Sequence, residues 1–132
     1  VRNQNWDILL AEFITSRHDT PFEWGVHDCT LFAVDAGIEI MGVDLAADYR
    51  GRYSDESGAA RIIAEAGSLR ALVGRHAAEI NPKMAQRGDW VMVEQCGADA
   101  LAVCIGTRYI AAGVRGLACG PMSDAVAAWR IE

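Results

Sequence analysis

The residues of this chain best suited to chemistry lie together in the stretch WGVHDCTLFAVDA, residues 24–36. Cys29 follows Asp28 directly and opens a long apolar run. Asp28 is the residue type and position expected of a helix N-cap. A cysteine at a helix N-terminus feels the positive end of the helix dipole and faces unpaired backbone N–H groups, and both favour the thiolate. The same N–H groups can serve as an oxyanion hole in acyl transfer. Nucleophilic catalysis also needs an imidazole within hydrogen-bond reach and a third group that orients it. The chain has three histidines, His18, His27 and His76. His27 is the candidate base, with Cys29 as nucleophile and Asp28 beside it, although a side chain two residues before the cysteine rarely aligns for proton transfer. Each residue has a plainer reading: a small buried residue at a crowded helix start for Cys29, an N-cap for Asp28. His18 and His76 fall at helix ends, where a cation meets the last carbonyls.

The elements that must position these residues are legible from periodicity. Residues 6–17, WDILLAEFITSR, place Trp6, Leu9, Leu10, Phe13 and Ile14 on one helical face. Thr20-Pro21 stops that helix, because the residue before a proline avoids the helical region. CTLFAVDAGIEIMG is apolar almost all round, which predicts a central buried helix from the Asp28 cap to a stop at Gly42. A helix over about 55–66, capped by Ser54 or Asp55, ends at Gly67, and a shorter one starts from Ser68. The stretch INPKMAQRGD reads as a linker with a turn at Gly88-Asp89, where Asp89 fixes the turn. Beyond it the period becomes strand-like in WVMVEQ, ALAVCIG, RYIAAG, GLACG and AWRIE, with turns at QCGAD and GTR. Trp90 and Trp129 read as core residues of the sheet face. Helices followed by an antiparallel sheet predict an α+β domain over residues 1–132.

Trp24 is a candidate groove residue, with core packing as the alternative. Arg50, Arg52 and Tyr53 in YRGRY form a candidate partner-binding loop, with a solvated turn as the alternative. The four cysteines, Cys29, Cys96, Cys104 and Cys119, form no CxxC pair, so no metal, cofactor or disulfide framework is expected. A metal or redox role would need three sulfurs to converge. Cys104 reads as a small buried hydrophobe, and Cys96 and Cys119 as turn or core residues. Hydrophobic residues make up 52% and the net charge is -6, which describes a globular protein without a phosphate-tracking surface. Nucleic acid is therefore not an expected partner. No run reaches the roughly 18 apolar residues of a membrane span, and no signal peptide is visible.

WGVHDCTLFAVDA, followed by RGDWVMV and ALAVCIG, resembles the NlpC-type cell-wall cysteine peptidases, whose fold is papain-like. In that family an Asp-Cys pair opens the central helix and an RGD-like turn opens the first strand. The catalytic histidine begins the second strand, just before a short apolar run ending in glycine. The likeness covers about residues 20–115. A phage-encoded branch of the superfamily, found in tail-assembly gene modules, is more similar still. Its motifs read here as PFEWGVHDC, RGRY, RGDW, AVCIG and AWR, across nearly the whole chain. The position of the family's histidine falls at about Ala100, and no histidine lies in residues 77–132. The third, orienting polar residue would fall near Ala111. The resemblance thus implies a tail-tip or baseplate protein of degenerate NlpC-like fold with a structural or assembly role. Such a protein would be made in the host cytoplasm, built into the virion tail and partnered by other tail proteins, without membrane insertion. The alternative it implies is an active cysteine endopeptidase that cleaves peptidoglycan peptides during entry. That enzyme would use His27, or a histidine from a neighbouring chain, as its base.

Overall fold

Residues 1–132 are described by a computed structural model, and they form four helices and one six-stranded antiparallel sheet, an α+β arrangement. The helices are α1 (Trp6–Ser16), α2 (Cys29–Met41), α3 (Glu56–Ala66) and α4 (Leu69–Gly74). Each of the last three starts where a side-chain oxygen caps it. Asp28 accepts from the Leu31 N–H, Asp55 from Gly58 and Ser68 from Ala71, so each cap satisfies an otherwise orphaned helix donor. α2 ends at Gly42 in the left-handed region, φ 73°. Leu31, Phe32, Ala33, Val34, Ala36, Gly37 and Ile40 of α2 are buried. Phe32 meets Phe13 of α1 with ring centroids 5.3 Å apart.

The strands are β1 (Ala78–Ile80), β2 (Trp90–Gln95), β3 (Ala98–Cys104), β4 (Arg108–Gly113), β5 (Gly116–Pro121) and β6 (Ala127–Arg130), in the order β1-β6-β2-β3-β4-β5. Side chains alternate between two faces. One face, with Trp90, Met92, Leu101, Val103 and Trp129, shares a core with α1, α2 and α4. The other buries Val91, Val93, Ala100, Ala102, Ala111 and Ala128 in a second, smaller cluster. β2 and β3 pair from Trp90↔Val103 to Gln95↔Ala98, through a two-residue turn at Cys96 and Gly97 with φ 52° and 80°. Two positive φ values make the hairpin turn whose twist matches the strands.

One detail of the sheet departs from the sequence reading. β1 is an added strand between the helix read from Ser68 and the linker that begins at Ile80; it exists through antiparallel pairing with β6, Glu79↔Trp129 at its centre. β4 pairs with β3 only at Val103 and Cys104. Residues 98–102 therefore have β2 on one side and no strand partner on the other. Asp89, fully buried, does more than fix a turn. Its carboxylate accepts from the Gln86 N–H (2.9 Å), the Ile131 N–H (3.0 Å) and Arg2 Nη2 (2.9 Å), tying the strand start to both ends of the chain. No helix is long and apolar enough to cross a membrane.

Candidate functional site around Cys29

The start of α2 is assembled by Asp28, which is 1% exposed. One carboxylate oxygen takes the Leu31 N–H at 2.8 Å; the other takes the Gly25 N–H at 3.0 Å and the Tyr53 hydroxyl at 2.5 Å. Residues 23–27 form a tight turn closed by reciprocal backbone hydrogen bonds between Glu23 and His27. Gly25 lies in that turn at φ 82°, and a Cβ there would collide with the Tyr53 carbonyl oxygen. A glycine is therefore required for the Tyr53 loop to cross the turn and reach Asp28. Burial and the neighbouring carboxylate push the Tyr53 hydroxyl far above the ordinary tyrosine range. It is a fixed donor to Asp28, not a base.

Cys29, half-buried, is the first residue of α2 and packs against the cluster that contains Ala100, Ala102 and Ala111. Its thiol faces the unpaired stretch of β3. The Leu101 and Thr30 N–H groups and the Thr30 hydroxyl, 3.9 Å from Sγ, favour the thiolate there. Burial outweighs them, with the Asp28 charge adding to it, and the thiol sits above its ordinary pKa. Cys29 is thus a protonated thiol at neutral pH.

No imidazole is hydrogen-bonded to this thiol. His27 is buried, and its Nδ1 accepts from Arg17 Nη1 at 3.3 Å. A guanidinium can only donate, so the neutral ring carries its proton on Nε2. The ring lies edge-on to Phe32, with centroids 5.9 Å apart. Desolvation and the Arg17 charge both lower its pKa. His27 therefore belongs to a packing and charge network, not to a dyad. The His18 imidazole is 78% exposed with Asp19 at 4.0 Å and bonds no helix carbonyl; Ser16 Oγ instead donates to the Phe13 carbonyl. His76 Nε2 bonds the Tyr49 hydroxyl at 2.9 Å rather than a helix end. Ala100 and Ala111, the positions at which the resemblance would set a histidine and a further polar residue, are 4% and 0% exposed.

The other candidate residues are spread out. Trp24 stands half-exposed against the edge of Phe22, centroids 5.0 Å apart, outside both buried clusters. Arg50 spans two carboxylates, Asp44 at 2.7 Å and Asp35 at 2.5 Å, and Asp35 also takes Arg17 at 3.0 Å. That network pins the residue 43–53 loop to α2, and it holds Asp44 below the usual carboxylate range. Arg52 is exposed, and its guanidinium bonds the Asp48 carbonyl. The Arg17–Asp35 link was not legible in the sequence, since a charged residue on an otherwise apolar helix gives no sign of its partner.

The remaining cysteines lie apart. Cys104 is buried and donates to the Gly106 carbonyl, while Cys96 and Cys119 are exposed; all four are free thiols. No three His, Cys, Asp or Glu side chains lie together in a way that could hold a metal ion. Comparison with curated proteins finds no match. The model of one family, described as "Domain of unknown function (DUF6950)", matches residues 1–131, and the chain belongs to that family.

Proposed function

We propose that this chain is a non-catalytic, papain-like domain of the NlpC type that serves as an assembly or structural component of a phage tail. One observation carries the non-catalytic half. The Cys29 thiol is half-buried beside Asp28, its pKa is raised, and its sulfur has a hydroxyl and backbone N–H groups around it but no imidazole partner. An acyl-transfer cysteine needs the opposite: a lowered pKa and a base in contact. A Cys-headed central helix beside an antiparallel sheet, with alanines at positions 100 and 111, supports descent from a hydrolase whose base has been replaced by packing. The tail half rests on the resemblance of PFEWGVHDC, RGRY, RGDW, AVCIG and AWR to the tail-module branch.

The test is genetic and structural together. Particles assembled without the gene for this chain will lack complete tails, and the Cys29→Ala variant will restore them. Complete, infective tails formed without the chain would contradict the assembly role. Release of peptidoglycan peptides by the wild-type chain, abolished in Cys29→Ala, would return it to the hydrolases.

A further inference from the structure

We propose that the connector from α1 to α2, residues 18–27, is a flap released by acid: the neutral His27 ring pins it to the two helices, and protonation of that ring frees it. The inference stands apart from the tail reading and does not use Cys29. Within the connector only His27 is buried, at 3% exposure. Phe22 and Trp24 lean on each other half-exposed, outside both buried clusters. The turn at 23–27 is closed by its own backbone hydrogen bonds, and a turn this short does not hold in water without packing behind it. Gly25 adds one bond, from its N–H to Asp28 at 3.0 Å. The main side-chain hold of the connector on the rest of the fold is therefore one imidazole.

The surroundings of that imidazole suit only its neutral form. Arg17, at the end of α1, donates to Nδ1 at 3.3 Å, and a guanidinium has no acceptor to offer a protonated ring. Arg17 is not free to turn aside. It holds Asp35 at 3.0 Å, and its guanidinium lies 4.7 Å over the Phe13 ring. The carboxylates whose charge reaches the ring, Asp28 and Asp35, are already engaged. Asp28 accepts from Leu31, Gly25 and Tyr53, and Asp35 takes Arg17 and Arg50. Phe32 of α2 meets the ring edge-on, and Glu23, exposed across the turn, meets His27 through backbone bonds. A proton on Nδ1 therefore sets donor against donor and cation against cation around a buried ring. Burial and the Arg17 charge outweigh the two carboxylates and disfavour the charged ring. In water an imidazole protonates near pH 6.5. Each pH unit below that value shifts the balance toward the released connector by up to about tenfold.

Amide hydrogen exchange of the full chain, read by NMR as protection factors at roughly pH 7 and 5.5, tests the release. The N–H groups of Glu23, Gly25, Val26 and His27 are bonded in the docked turn and report its opening. At the higher pH their protection should lie well below that of the β2–β3 ladder and should not respond to low urea, the sign of a local opening. At the lower pH it should fall by up to about tenfold, and His27→Gln, which cannot titrate, should abolish the fall. His18→Gln, at the exposed histidine of the same connector, should leave the fall intact. Connector protection equal to that of the ladder would overturn the proposal, as would a fall of less than about twofold or an undiminished fall in a folded His27→Gln protein. If that variant does not fold, His18→Gln decides: loss of the fall there would assign the proton to His18 and overturn the proposal.

Discussion

Replacing Asp28 separates a structural carboxylate from a catalytic one. In the fold it accepts three hydrogen bonds, from Leu31, Gly25 and Tyr53, while 1% exposed. Loss of an N-cap alone costs about 1 kcal/mol. Hydrogen bonds to a charged group contribute roughly 1.5–3 kcal/mol each, and a donor left buried without a partner adds its desolvation cost. Those terms overlap, so Asp28→Ala should destabilise by about 4 kcal/mol, a large share of a typical domain's stability. At roughly 3–4 °C per kcal/mol for a chain of this size, the melting temperature should fall by about 12–16 °C. Asp28→Asn keeps an oxygen for the Leu31 N–H but turns an amide toward the Gly25 N–H, donor against donor. Its cost should be about 2 kcal/mol. Tyr53→Phe removes one bond and leaves the carboxylate two, and it should cost about 1.5–2 kcal/mol. The assay is chemical denaturation of the three variants and of Asp28→Asn/Tyr53→Phe, whose coupling energy reports the Tyr53 bond. The thiol gives an independent sign. The Asp28 charge raises the Cys29 pKa, so a folded Asp28→Asn protein should alkylate at Cys29 faster than wild type. Near-wild-type stability of Asp28→Ala, together with slower alkylation of Cys29, would refute this reasoning.

Other consequences follow from the same contacts. Asp89→Asn leaves Arg2 without its buried carboxylate and should cost about 3 kcal/mol or more, read by denaturation. The folded pKa of His27 is lowered, so the unfolded chain binds a proton more readily. Its contribution is complete above the unfolded value of about 6.5 and is lost as pH falls below it, at up to about 1.4 kcal/mol per pH unit. His27→Gln should flatten the fall in stability below pH 6.5, when measured in denaturant titrations at stepped pH. Cys96 is the one residue other than glycine at positive φ, and asparagine tolerates that turn position far better. Cys96→Asn should stabilise by about 0.5–1 kcal/mol and raise the melting temperature by a few degrees.

Much of the fold was legible because its helix ends are written in local chemistry. Asp28 and Gly42, Asp55 and Gly67, and Ser68 each act where the chain itself announces a cap or a stop. Trp90 and Trp129 read as core, and they sit paired across β2 and β6 in the buried sheet. β1 was not legible, since three residues without alternation become a strand only through a partner some fifty positions away. The site was legible in part. The residue types at the head of α2 define what chemistry is possible there. They do not say that His27 turns to Arg17, nor that Tyr53 reaches Asp28 over Gly25. Nor does the pattern of α3 say that none of its residues is buried. Those are long-range contacts, decided by how the loop and helices pack.

The most direct test of the account is the pH dependence of Cys29 alkylation by iodoacetamide, resolved by peptide mass spectrometry. Exposed Cys96 and Cys119 serve as internal references and Cys29→Ala as the control. The account predicts that Cys29 reacts more slowly than both references at every pH and titrates above the ordinary free-thiol value of about 8.5. Fast reaction at Cys29 with an apparent pKa well below that value would mean an activated thiolate, and would contradict the claim that this cysteine is structural.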